Sequence, residues 1–310
     1  MYDDKTLYSM TREELLKIPR TFWVQRKKMS MIQTNVSPLW HCENPDNLPC
    51  HGKRLIVKNR NGIALRAILY RPQESGKRPV YFHIHGGGFN KGYPETNDPE
   101  LTMYCNQLGC CVIAVGYRLA PEYPYPAAVH DCYDVIKHFV HCAEQYGFDL
   151  ERIGIGGESA GGNLANAVSM LVSEHKTFSI KVQMLVMPGC NNHDISGTGE
   201  LLVHHITGIM SYVEDFSQTM EPYVSPFYAS DEALRKMPST IMITAENDDL
   251  HYYAEKYAVR LAENGVTITM KRFLGVGHVF ALKDTEYYIE TRAQEGLSFQ
   301  VEQLRRYLFS

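Results

Sequence analysis

The chain has 310 residues, 44 % of them hydrophobic and 21 % charged, enough apolar sequence for one large core, and a formal net charge of −4. That balance argues against a nucleic-acid surface, since basic residues cluster only in short pieces such as Arg26-Lys27-Lys28, which reads as a solvated helix face. No run of roughly 18 apolar residues exists to cross a membrane, and Met1-Tyr2-Asp3-Asp4 is not the basic-then-apolar start of a signal peptide, so a soluble, cytoplasmic chain without stable membrane association is expected. The eight cysteines contain no Cys-x-x-Cys pair and read as buried thiols rather than as a zinc or redox site.

In chain order, Thr11-Arg12-Glu13-Glu14 has the spacing at which a threonine and a glutamate satisfy each other's free amides at a helix start, and Leu15, Leu16 and Ile18 follow. Phe22, Trp23 and Trp40 then read as irregular, aromatic-rich sequence, and the sequon at Asn35-Val36-Ser37 has little meaning in a cytoplasmic chain. Residues 54–70, broken at Asn61-Gly62, predict a hairpin, because Asn-Gly suits the tight positive-φ turn between antiparallel strands. After it, strand-like runs at 80–85, 111–116, 152–156, 182–187, 240–245 and 266–273 alternate with helical stretches at 127–146, 160–173 and 252–264, and a last helix covers about 286–308. Alternation of this kind builds a mostly parallel central sheet flanked by helices, an α/β fold. Residues 1 to about 50 and about 191–228 fall outside the alternation; the second segment carries Leu201, Leu202, His205, Ile206, Ile209 and Met210 at helical spacing. No repeat or low-complexity tract divides the chain, so residues 1–310 read as a single domain.

Chemistry enters at Gly157-Glu158-Ser159-Ala160-Gly161-Gly162, between the strand-like run at 152–156 and a helix with Leu164, Val168, Leu171 and Val172 on one face. A Gly-x-Ser-x-Gly turn strains the serine between strand and helix and needs glycines where a Cβ would clash. It also sets the Ala160 amide at a helix N-terminus, where partial positive charge favours a developing anion. Such a turn arises by accident in about one chain in ten of this length. Here His85-Gly86-Gly87-Gly88-Phe89 directly follows a strand-like run upstream, where an oxyanion loop belongs, and the two together are far rarer. A serine hydroxyl needs a base to take its proton and donors to hold the oxyanion. The remaining partners are expected in loops after late strands: His278 in Gly277-His278-Val279-Phe280 as base, and Asp248 in Glu246-Asn247-Asp248-Asp249-Leu250 as the carboxylate that orients it, with Asp249 its rival.

With those residues in place the chain resembles the hormone-sensitive-lipase-like family of α/β-hydrolases, the group containing bacterial carboxylesterases and acetyl esterases. The resemblance spans nearly the whole chain. It rests on the histidine-glycine loop, on Tyr117-Arg118-Leu119-Ala120-Pro121-Glu122-Tyr123-Pro124-Tyr125-Pro126-Ala127-Ala128, on the serine turn, on Asp248-Asp249-Leu250 and on His278-Val279-Phe280. It implies an α/β-hydrolase fold with a helical cap formed by about 1–50 and about 191–228. It also implies a triad of Ser159, Asp248 and His278 and an oxyanion hole from the amides of Gly87, Gly88 and Ala160. Three positions depart from the pattern: Glu158 where Asp is common, Asp249 where Pro is usual, and Val279 where glycine often follows the histidine. Glu158 is expected to hydrogen-bond nearby backbone.

The expected function is a serine carboxylesterase acting on small or medium esters with short acyl groups, acetylated carbohydrate among them, through an acyl-enzyme, with no cofactor and no metal. An amidase or peptidase would use the same triad. A non-catalytic small-molecule binder is the remaining class, and receptor-like relatives of the fold lack the histidine that is present here as His278. The oligomeric state stays open, a homo-oligomer included. Other residues have plain readings: His83 and His85 as anchors on one strand face, His193, Asp194, His204 and His205 as surface groups of the cap, Arg118 and Glu122 as structural, and Cys190 as an inert thiol after a late strand.

Overall fold

The N-terminal segment carries the helices α1 (Asp4–Ser9), α2 (Arg12–Leu16) and α3 (Arg20–Gln33). The computed structural model describes residues 2–33, 42, 44–73, 76–194, 198–283 and 288–310; Trp40, the sequon at Asn35 and Glu286 lie outside them. At the start of α2 the Glu14 carboxylate accepts from the Thr11 amide at 2.7 Å and Thr11 Oγ1 accepts from the Glu14 amide at 3.3 Å, the expected reciprocal cap. Phe22 and Trp23 are a correction, because both lie within α3, Trp23 fully buried and Phe22 edge-on against it. A helix whose apolar residues bunch at Phe22–Val24 and from Met29, rather than recurring every three or four positions, is held by what it packs against rather than by its own periodicity.

The hairpin forms between β1 (Lys53–Lys58) and β2 (Ala64–Tyr70), with Lys58 opposite Ala64 and Gly62 at φ 76° in the turn. Then follow β3 (Arg78–Ile84), α4 (Asp98–Leu108), β4 (Cys111–Val115), α5 (Ala127–His141), α6 (Ala143–Tyr146), β5 (Phe148–Glu158), α7 (Ala160–His175) and β6 (Val182–Val186). The last elements are α8 (Gly199–Tyr212), α9 (Asp231–Leu234), β7 (Ser239–Asn247), α10 (His251–Glu263), β8 (Ile268–Gly277) and α11 (Glu290–Leu308). The expected elements are present with shifted ends: the helix at 127–146 breaks at Cys142, β5 begins before Arg152, and β8 begins at Ile268. Helix α4 is an addition to the sequence reading.

The strands form one sheet in the order β1-β2-β4-β3-β5-β6-β7-β8, antiparallel from β1 to β4 and parallel beyond. Side chains alternate between its faces, so Val80, Phe82 and Ile84 of β3 join a core with α5 and α7, while Tyr81 joins another with Leu101 of α4 and Leu304 and Leu308 of α11. Because β3, β5, β7 and β8 run the same way, the loops leaving them emerge along one edge, where ligands of open α/β sheets sit.

The excursion between β6 and β7 places α8 against α1, α2 and α3. Arg20 Nε donates to the Val213 carbonyl at 2.6 Å and Arg12 Nη2 to the His193 carbonyl at 2.8 Å, so the N-terminal helices and the excursion are tied together. Arg118 grips the buried Asp131 carboxylate with two bonds of 2.7 and 2.9 Å, and Glu122 pairs with Lys28 at 2.7 Å, both structural uses. The basic run is not uniformly solvated: Lys27 is half-buried, and burial, with the nearby Lys91 charge, pushes its ammonium down to about 8. All eight cysteines are free; five are buried, and Cys42, Cys50 and Cys142 are half-buried. Among the described residues no helix is long and apolar enough to cross a membrane.

Two glycines in helices give opposite expectations. A Cβ on Gly161 would lie 2.0 Å from the Ile84 carbonyl oxygen, whereas nothing lies within 4 Å of one on Gly208. Gly161→Ala should therefore lower the unfolding free energy by about 2–3 kcal/mol or more, and Gly208→Ala should leave it unchanged or raise it by up to about 1 kcal/mol, both read by urea denaturation.

Candidate active site

Ser159 stands between β5 and α7 at φ 55° and ψ −121°, a conformation that costs about 1–3 kcal/mol and persists only where its surroundings over-determine it. The surroundings are visible. A Cβ on Gly157 would lie 2.2 Å from the Ile84 carbonyl oxygen, so this glycine, like Gly161, lets the turn press against the end of β3. The Ser159 amide donates to the Val186 carbonyl at 2.9 Å, fixing the turn to β6 as well. Ala160 opens the 16-residue helix α7.

The loops after β7 and β8 bring the other expected residues to the serine. His278 Nε2 is 2.9 Å from Ser159 Oγ, and His278 Nδ1 is 2.9 Å from Asp248 Oδ2. Asp248 is buried, and its second oxygen accepts from the Leu250 amide at 3.0 Å, so both ends of the carboxylate are held. Asp249 is exposed and, among the described residues, is not bonded to His278. Val279 sits at φ 50°, in the region that favours glycine, which gives a physical reason for the glycine usual at this place in the family pattern.

The glycine loop after β3 carries Gly87 at φ 112° and Gly88 at φ 60°. Gly88 and Ala160 line the same cavity as Ser159; Gly87 is not in its lining. His85 anchors the loop from inside: it is buried, stacked on Tyr117 at 4.3 Å, with Nδ1 2.8 Å from the Gly86 carbonyl oxygen. Burial pushes its imidazole down to about 4, opposed in part by that hydrogen bond, so it stands neutral. His83, the other half of the strand-face pair, stands 3.0 Å from Glu158.

The cavity over Ser159 has a volume of about 570 Å³. Phe89, Cys190 and Ile209 supply apolar wall, and Asp194, His204 and His205 supply polar wall. Sequence reasoning treated the last three as surface groups; helical spacing of His205 with Ile209 was the available sign that α8 faces inward. Tyr253 donates to Asp194, closing that side. Asn163 was also missed. Buried on the first turns of α7, it donates from Nδ2 to the carbonyls of Gly189 (2.7 Å) and Val224 (2.9 Å), fastening both ends of the excursion beneath the cavity.

Residues 81–282 match the model of a family described by its α/β-hydrolase fold. The chain belongs to this family. The hydrolase is 34 % identical over 221 residues to an arylesterase of Saccharolobus solfataricus, covering 68 % of this chain and 71 % of that one. It is 30 % identical over 266 residues to an ethyl acetate hydrolase of Pseudomonas putida, covering 82 % of each. Among solved structures it is similar to carboxyl esterase 2 of Tuber melanosporum, with a TM-score of 0.75, 28 % identity, and coverage of 89 % of this chain and 90 % of that one. The family and fold that the motifs implied are those found.

His85 makes the stability of the hydrolase depend on pH on the acid side. Its folded pKa lies below the unfolded value of 6.5, so its contribution is complete above that value and is lost as the pH falls toward about 4, where only the unfolded chain gains the proton. Wild type should lose up to about 3 kcal/mol from this group across that interval. Urea midpoints of His85→Phe, whatever their value at neutral pH, should fall less between pH 6.5 and 4.5 than those of wild type.

Proposed function

We propose that the hydrolase is a serine carboxylesterase that cleaves small or medium esters with short acyl groups through an acyl-enzyme. The observation that carries this reading is the unbroken line from Asp248 through His278 to Ser159, each step 2.9 Å. In the mechanism His278, with Nδ1–H donated to Asp248, takes the Ser159 proton at Nε2 as the hydroxyl oxygen attacks the ester carbonyl. The amides of Gly87, Gly88 and Ala160 hold the tetrahedral oxyanion, aided by the positive end of α7. His278 then gives its proton to the departing alcohol. In the second half it activates a water that attacks the acyl-Ser159 ester, releasing the acid and restoring the hydroxyl.

Several features support the details. The cavity of about 570 Å³ suits a small ester, and α8 lines it, which is why α8 with the N-terminal helices is read as a cap and the whole chain as one domain with that cap. The ethyl acetate hydrolase among the relatives supports the short acyl preference. Asp248 is preferred to Asp249 as the orienting carboxylate because Asp248 faces the histidine. The eight free thiols suit a reducing compartment such as the cytoplasm.

Initial rates on p-nitrophenyl esters from acetate to laurate test the reading. Rates should peak at short chains, and Ser159→Ala and His278→Ala should each lower kcat/KM at least about a thousandfold with the fold intact. Near-wild-type turnover in either variant removes the mechanism. In the same assay Asp248→Asn should lower kcat about a thousandfold or more, while Asp249→Asn should stay within about threefold of wild type; the reverse order would make Asp249 the orienting group.

A further inference from the structure

Immediately beside the nucleophile, on the side away from the substrate cavity, Glu158 is buried among groups the mechanism above does not use. Its Oε1 accepts from the Gly86 amide at 2.7 Å, and its Oε2 stands 3.0 Å from His83 Nε2. The side chains of His83 and Glu158 are 7 % and 8 % exposed, so this is an ionisable pair taken out of water behind the reacting atoms. Parallel pairing of β3 with β5 sets His83 opposite Gly156 and Ile84 opposite Gly157, which makes the reach across the strand ends short. Both side chains also border a pocket of about 40 Å³, together with Glu100 and Tyr104, that shares no lining residue with the cavity over Ser159.

We infer that Glu158 is a positioning residue for the oxyanion hole: one carboxylate, steadied by His83, ties the root of the glycine loop at Gly86 to the residue preceding the nucleophile. The inference rests on the esterase reading and deepens it. Gly86 directly precedes Gly87 and Gly88, the loop residues whose amides are assigned to the oxyanion, and Glu158 directly precedes Ser159. The spacing between donors and nucleophile is thus set through a single side chain. Loss of one oxyanion donor costs a hundredfold or more elsewhere, so a loop displaced by a few tenths of an ångström must lose part of that.

A merely structural role is the alternative to defeat. Burying a charge is expensive, and apolar residues of similar volume fill such space at least as well, so stability alone does not call for Glu158. Its fit is close on the loop side: a Cβ on Gly86 would lie 2.9 Å from the Glu158 carbonyl oxygen, so the loop root runs directly against this residue. Burial acts to raise the Glu158 carboxyl, yet the adjacent His83 imidazole and the Gly86 N–H outweigh it and hold the carboxyl below its usual value, the Gly86 N–H donating to Oε1 and the His83 ring standing against Oε2 as an ion-pair partner.

Three variants separate positioning from structure, each measured for kcat and KM on p-nitrophenyl acetate, for affinity to a trifluoromethyl ketone that mimics the tetrahedral intermediate, and for thermal midpoint. Glu158→Gln keeps an acceptor for Gly86 and should hold kcat within about fivefold of wild type. Glu158→Met removes it and should lower kcat about thirtyfold with KM within about threefold, the ketone affinity falling in step with kcat/KM. The double variant His83→Phe with Glu158→Met removes the stranded partner, so the thermal midpoint should recover relative to Glu158→Met while kcat stays low. The inference is overturned if Glu158→Met keeps kcat within threefold, if Gln and Met lose equally, or if the double variant recovers kcat along with stability. A wild type without Ser159-dependent hydrolysis overturns the esterase reading and this inference with it.

Discussion

Everything at this site depends on how closely one turn can approach one strand. Ser159 holds a positive φ that its own side chain disfavours, and it does so because Gly157 and Gly161 let the β5–α7 turn lie against the Ile84 carbonyl with no room for a methyl group. The same approach sets the serine beside the glycine loop that leaves β3, and it aims α7 at the space between them. Parallel strands then deliver the remaining groups, since the loops after β7 and β8 emerge on the same edge. Strain at the turn is sustained by a sheet whose inner strands β3, β4 and β6 are buried on both faces.

Three buried ionisable groups around that turn are handled in three ways. Asp248 has both carboxylate oxygens engaged, one by the Leu250 amide and the other by His278. Glu158 keeps its charge through Gly86 and His83. His85 is instead held neutral by burial and serves as a flat wedge against Tyr117. The placement accords with the proposed reaction. Negative charge that must stay fixed lies behind the histidine and behind the loop, while the serine oxygen faces the positive end of a helix, where new negative charge would develop.

Much of this was legible because the signals are local. Asn61-Gly62 announces a hairpin, Thr11 and Glu14 announce a helix start, and glycines flanking a serine announce a strained turn, each through backbone constraints that a few residues carry alone. What was hidden depends on partners far along the chain. Helix α3 has apolar residues grouped at Phe22–Val24 and again from Met29, without the i, i+3, i+4 spacing that would declare it, and packs against α8. Helix α4 was readable in principle, with Leu101, Tyr104, Cys105 and Leu108 on one face and a left-handed Gly109 at its end. Glu158 looked like a residue that binds nearby backbone, and it does bind Gly86. Its second partner, His83, comes from a strand seventy-five positions earlier in the numbering and no spacing rule reaches it. The polar wall of the cavity has the same cause, since Asp194, His204 and Tyr253 converge from three separate elements.

The central claim is that Ser159 becomes acylated during turnover. Acid-quenching the protein during hydrolysis of p-nitrophenyl acetate, followed by peptide mass mapping, tests it directly. The account predicts an acetyl adduct on the peptide carrying Ser159, absent from Ser159→Ala and accumulating when deacylation is slowed. Steady hydrolysis with no adduct on that peptide, or with the adduct on another residue and undiminished turnover in Ser159→Ala, would contradict it.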